Sequence, residues 1–130
     1  MIVIDASVVV AALAERGPTG AAARERLRDE DLQAPELIDV EVVSAMRRLR
    51  SAGELDDISA DAMLRRLRNL NVVREPHLWL LGRCWALRDN LTPYDASYVA
   101  LAEALGCPLV TADARLVSAP GIRCAVEVLS

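Results

Sequence analysis

Apolar and polar positions along this chain switch between two periods. Short apolar runs, each closed by an acid or a turn residue, read as strands; between them apolar residues recur three and four positions apart, which reads as helix. Ile2 to Ile4 predicts a first strand, Asp5 follows it, and Ala6-Ser7 leads into a Val/Ala-rich helix. Gly17-Pro18-Thr19-Gly20 punctuates the chain before a second helix over Thr19 to Asp29, and Leu32 to Ala34 predicts a second strand. Pro35 is expected to open a long helix to about Ser51, with Gly53 just beyond its end. Ser59 to Leu70 reads as a further helix, Val72-Val73 as a short strand and residues 77–89 as helix. Thr92-Pro93 starts another helix that ends near Gly106. Pro108 to Thr111 is a buried strand running into Ala112-Asp113, and Ile122 to Val126 closes the chain as a terminal strand. This alternation predicts an α/β fold with a mainly parallel central sheet flanked by helices on both faces. No internal repeat, linker or low-complexity tract divides the chain, so one domain over residues 1–130 is expected.

Composition narrows the chemistry. Of the 130 residues 53% are apolar and 26% charged, a mix that suits a soluble globular protein. The longest apolar stretch, Val8 to Ala14, is far short of a membrane span. Met1 runs directly into Ile-Val-Ile-Asp without a basic region, which reads against a secretory leader and for a cytoplasmic protein. Cys84, Cys107 and Cys124 are odd in number and widely spaced, arguing for reduced packing cysteines and against a disulfide framework or a Cys-x-x-Cys metal site. His77 is the only histidine; beside Pro76 it reads as a partly exposed helix-start residue, and a zinc site lacks ligands. All fifteen basic residues are arginine, so chemistry that needs a lysine amine is excluded.

Four acids stand out. Asp5 and Asp113 follow predicted strands, and in open parallel sheets ligands bind outside the carboxyl ends of the strands. Each also fits a turn or helix-cap role. Thr92 and Asp95 have the spacing of a capping box, yet the residues after Asp95 are apolar or small almost all round, so this helix should be buried with its acidic start facing a polar cavity. Glu41 lies at the edge of the stripe formed by Ile38, Val42, Ala45 and Leu49 and needs a partner: a salt bridge to Arg47 or Arg48, or a metal.

Four such acids in one crevice would repel one another unless a hard cation lay between them, and carboxylate oxygens suit Mg²⁺ or Mn²⁺. That site suits metal-assisted attack of water on a phosphodiester, which requires neither His nor Lys. Net charge agrees. At −4 the chain looks wrong for a nucleic-acid partner, but with four acids neutralised by metal the fifteen arginines are matched by as many remaining acids.

In this light Ile-Val-Ile-Asp5-Ala-Ser7, the Pro35-Glu36-Leu37 to Glu41 segment, Leu91-Thr-Pro-Tyr-Asp95-Ala-Ser-Tyr-Val-Ala-Leu-Ala and Leu109-Val-Thr111-Ala-Asp113-Ala-Arg-Leu resemble a PIN domain, and more narrowly the VapC toxins of bacterial toxin–antitoxin pairs. The likeness covers nearly the whole chain in order. It implies a PIN-like α/β/α sandwich and a Mg²⁺-dependent endoribonuclease, with Mn²⁺ able to substitute, that cleaves structured cellular RNA such as tRNA or rRNA and halts translation. It also implies a homodimer held inactive by a VapB-type antitoxin. Asp5, Glu41, Asp95 and Asp113 match the acidic quartet. Asp5 and Asp95 are expected as metal ligands, Asp113 as a ligand directly or through water, and Glu41 as a metal or water-positioning group. Ser7 and Thr111 match the small hydroxyl positions that orient the acids. Pro93 departs from the usual pattern without removing an acid.

Rival readings lack residues they need. A phosphoacceptor receiver domain relies on a Lys, and a haloacid-dehalogenase-type phosphatase wants a second Asp where Ser7 stands. An RNA-processing nuclease without an antitoxin, and a non-catalytic PIN-like binding module, are the remaining alternatives. Discrete metal-dependent cleavage separates the second of these from an enzyme.

Overall fold

The computed structural model describes residues 1–129. Five strands, β1 (Ile2–Ile4), β2 (Leu32–Pro35), β3 (Val72–Glu75), β4 (Leu109–Thr111) and β5 (Val126–Val128), form one sheet in the order β3-β2-β1-β4-β5, with every neighbouring pair parallel. Six α-helices connect or flank them: α1 (Ala6–Ala14), α2 (Pro18–Leu27), α3 (Ile38–Ser51), α4 (Asp57–Asn69), α5 (Leu81–Ala86) and α6 (Pro93–Leu105).

The strand order explains the layers. From β1 the chain steps outward through β2 to β3, then returns across β1 to β4 and β5. With right-handed crossovers, opposite directions of travel place the connecting helices on opposite faces. The packing follows this rule: α1 contacts α2, α3 and α4, whereas α6 contacts α5 and lies across β1, β2 and β4. Both faces of the central strands are therefore covered, and Ile2, Val3, Ile4, Leu109 and Val110 are all buried, as strands of a parallel sheet require. Lacking Phe, the core is filled by aliphatic side chains, and Tyr98 on α6 is its largest fully buried side chain. The direction of connection reverses at β1, so a crevice opens between the carboxyl ends of β1 and β4.

Several element boundaries differ from the sequence expectation. Pro35 ends β2 rather than opening α3: it lies in register with Glu75, and the next amide, that of Glu36, donates to Glu75 O at 2.9 Å. Proline's fixed φ serves an extended residue as well as a helical one, and its missing N–H falls where the ladder needs none. The 77–89 segment is a 3₁₀ turn over Leu78–Leu80 followed by the six-residue α5. The amides of Asn90 and Leu91 both return to Leu87 O at 3.0 Å, ending the helical run. His77 is exposed just ahead of that 3₁₀ turn. The terminal strand begins at Val126 because β4 is short, and its first residue Leu109 pairs with Val126. Cys84 is buried and Cys107 and Cys124 are half-buried, all three as free thiols. Among the described residues no helix is long and apolar enough to cross a membrane.

Candidate active site

Asp5 leaves β1 as the N-cap of α1. Its Oδ1 accepts from the Val8 amide at 3.3 Å and from Ser7 Oγ at 2.5 Å, and its Oδ2 accepts from Thr111 Oγ1 at 2.5 Å. The capping reading and the site reading thus describe the same atoms. Ser7 Oγ also accepts from the Ala112 amide at 2.9 Å, and Thr111 Oγ1 from the Asp113 amide at 3.0 Å. Two hydroxyls therefore tie the end of β1 to the end of β4 around one carboxylate that is only 5% exposed. Burial raises the Asp5 pKa, the hydroxyl and amide donors oppose the rise, and the charge of Asp95 adds to it.

Asp95 enters from α6. Thr92 caps this helix through Oγ1, which accepts from the Asp95 amide at 3.2 Å, and Pro93 occupies the first turn, where it costs no hydrogen bond. Residues Ala96 to Ala102 are buried, so the helix is held on all sides and its start is aimed rather than free. The Asp95 carboxyl is half-buried, and burial together with the negative charge of Asp113 raises its pKa.

Glu41 makes no ion pair with Arg47 or Arg48 among the described contacts. Its partner is Tyr98, whose hydroxyl donates to Glu41 Oε1 at 2.5 Å. Tyr98 lies one helical turn after Asp95 on α6, so the same helix supplies one acid and steadies another. Burial raises the pKa of Glu41, the Tyr98 hydrogen bond lowers it, and the charges of Asp95 and Asp5 raise it further.

Asp113 behaves differently. It caps the short 3₁₀ turn Ala114–Ser118, and Arg115 grips its carboxylate with Nε to both oxygens at 3.0 and 3.1 Å and Nη2 to Oδ2 at 2.7 Å. That fork holds the Asp113 pKa below the ordinary carboxylate value.

All four acids line one cleft of about 980 Å³, together with Ser7, Tyr94 and Tyr98. The cleft continues between α1 and α3 past Val10, Ala11, Ala45 and Leu49. As the side chains are placed, no three acidic, histidine or cysteine groups among the described residues stand within ligating reach of one point. The reason is visible in the hydrogen bonds: Asp113 is turned onto Arg115, Glu41 onto Tyr98, and Asp5 onto its hydroxyls. The donor set is nevertheless all hard oxygen, and the burial and, to a lesser degree, the mutual repulsion that raise Asp5, Glu41 and Asp95 are what a divalent cation would offset. The residues present therefore fit Mg²⁺ or Mn²⁺. Tyr98 and Arg115 did not emerge from the sequence as site residues. The i, i+3 spacing of Tyr98 from Asp95 carried the one signal available.

Comparison with known proteins gives the family and the fold. Residues 2–122 match the PIN domain family. A VapC ribonuclease of Mycobacterium bovis, Mb0985, is 44% identical over 129 residues, covering 99% of this chain and 98% of that protein. Among solved structures, PAE2754 from Pyrobaculum aerophilum superposes with a TM-score of 0.70 at 27% identity, covering 98% of this chain and 83% of that one. A toxin–antitoxin complex from Klebsiella pneumoniae contains the same fold, with a TM-score of 0.65 at 16% identity, covering 98% of this chain and 100% of that one.

Proposed function

The chain belongs to the PIN domain family and, within it, to the VapC ribonucleases, and from that premise we propose that it is a divalent-metal-dependent endoribonuclease toxin acting on structured RNA in the cytoplasm. The observation that carries the reading is the gathering of Asp5, Glu41, Asp95 and Asp113 around one cleft at the point where the sheet's connections reverse.

Asp5 and Asp95 would hold Mg²⁺ or Mn²⁺, with Asp113 joining them directly or through water. When bound, such an ion lowers the pKa of water and offsets charge on the phosphodiester oxygens. The remaining work falls to the chain. Ser7 and Thr111 fix the rotation of the Asp5 carboxylate, so that its lone pairs need no reorganisation when the substrate arrives. Glu41 has one oxygen committed to Tyr98, which leaves Oε2 to accept a proton from the attacking water. Its raised pKa makes it a better base than an exposed glutamate. The water oxygen then bonds to phosphorus, the bond from phosphorus to the leaving oxygen breaks, and that oxygen takes up a proton from solvent water. A homodimer and a VapB-type antitoxin complete the reading as partners; a protein of the same fold is solved as a toxin–antitoxin complex.

The test is cleavage of total tRNA and rRNA by purified, antitoxin-free protein with Mg²⁺, with Mn²⁺ and with EDTA, beside Asp95→Asn. Discrete fragments that require metal and fall by at least about a hundredfold in the variant are expected, the scale of losing a principal electrostatic group. Undiminished cleavage in EDTA, or none from folded protein under either metal, would overturn the reading.

A further inference from the structure

Among the described residues Asp113 alone of the four acids is paired with a cation. The pair is unusual in its setting. The Arg115 side chain is 89% exposed and makes no hydrogen bond except to Asp113, while the carboxylate it grips is 29% exposed and faces the cleft. An ion pair this exposed contributes little to stability, because both charges lose solvation and side-chain freedom for a screened attraction. It is therefore easily exchanged. The Asp113 carboxylate has a second anchor, the Arg115 backbone amide on Oδ1 at 3.0 Å, so departure of the guanidinium does not release the acid. Arg48 on α3 also lines the cleft, with Nη1 on Ser44 Oγ at 3.2 Å, but it stands on the Glu41 side and not beside Asp113, whereas Arg74 is committed to Asp39 and the Leu67 carbonyl and Arg83 to Glu103 and the Gly121 carbonyl.

Asp113 would offer a divalent cation the same oxygens that Arg115 grips, so the guanidinium and the cation would exclude each other there. The freed guanidinium then stands beside the site where an RNA phosphate must come, and its planar fork matches phosphate as it matches carboxylate. We propose that Arg115 is a phosphate-binding residue of this site, resting on Asp113 while that carboxylate has no divalent cation and turning to the RNA backbone when it has one. The proposal rests on the nuclease reading above. It has a signature that a structural role for Arg115 does not: removing the side chain helps one ligand and harms the other. Metal loses a competitor, and RNA loses a partner.

The experiment measures Mn²⁺ binding to the RNA-free protein by electron paramagnetic resonance and, separately, steady-state tRNA cleavage. Wild type, Arg115→Ala, Arg115→Lys and Asp95→Asn are compared. In Arg115→Ala the Mn²⁺ Kd is expected to fall about threefold, as loss of an exposed competing pair implies. The KM for tRNA should rise about tenfold with kcat little changed, the scale of one charge-assisted hydrogen-bonded contact. Arg115→Lys, which keeps the charge but not the fork, should restore the Mn²⁺ affinity of wild type and only part of the KM. Weaker or unchanged Mn²⁺ binding in Arg115→Ala, or an unchanged KM, overturns the proposal. If wild type binds Mn²⁺ and cleaves while Asp95→Asn does neither, the nuclease reading stands whatever Arg115 does. If wild type neither binds nor cleaves, both fall.

Discussion

Thr111 is fully buried, and its hydroxyl has two tasks: it donates to Asp5 Oδ2 and accepts from the Asp113 amide. Thr111→Val keeps the shape and removes both bonds, leaving a buried carboxylate short of a donor. The expected cost is about 1–3 kcal/mol, read as a lower urea midpoint at unchanged slope. Cleavage should fall as well, since Asp5 is then held by Ser7 and the Val8 amide alone. Of the two hydroxyls on Asp5, Thr111 comes from 106 residues away, so only folding could bring it there. Ser7, two positions from Asp5, was within reach of local reasoning. The Tyr98–Glu41 bond spans 57 residues and stands where a salt bridge to Arg47 or Arg48 had been one of the two partners open to Glu41.

At the level of elements, α6 was the most legible, because each end carries a chemical stop. Thr92 and Pro93 start it, and Gly106 ends it in the left-handed region at φ +66°, where a Cβ would be strained. What the helix packs against was not legible. Its partner α5 is held by the Arg83–Glu103 fork at 2.7 and 3.1 Å, and Glu103 also accepts from the Arg123 amide at 2.7 Å. Burial works against the Glu103 charge, but those donors outweigh it, so its pKa lies below the ordinary value. A lowered acid stabilises the fold above its unfolded pKa, and that contribution is lost as pH falls through the folded pKa. Glu103→Gln should therefore reduce Tm at pH 7 by several degrees, the scale of about 1–2 kcal/mol, and the difference should shrink in acid. Residues 77–89 misled because Leu78, Trp79, Leu81 and Trp85 are apolar yet exposed, so apolar content overstated the length of the helix. In the last strand the alternation was real: Ile122, Cys124, Val126 and Val128 are all half-buried. Pairing begins only opposite Leu109, so the ladder is shorter than the alternation.

For the whole molecule, three acids in one cleft with raised pKa values mean that the metal-free fold carries electrostatic strain at neutral pH. For a raised carboxylate the destabilisation is full above the folded pKa and disappears below the unfolded one. Metal-free Asp95→Asn should thus melt a few degrees above wild type at pH 7, with the gap closing as pH falls through the carboxylate range. Adding Mg²⁺ should raise wild-type Tm by ligand linkage and leave the variant nearly unmoved, reversing their order. Differential scanning calorimetry with and without EDTA checks both. Features that rest on neighbours in the chain are legible from the residues alone: the alternation of strand and helix, the caps at Asp5 and Thr92, and the acids placed just after strands. Parallel pairing followed as well, because helical connections between strands leave few alternatives. The tertiary structure decided the rest: the strand order that puts β4 beside β1, the hydroxyl of Thr111 on Asp5, the phenol of Tyr98 on Glu41, and the turning of Asp113 onto Arg115. The physical reason is range. Propensities and caps act within a turn or two, whereas a buried carboxylate takes its partners from whatever surface folding brings against it.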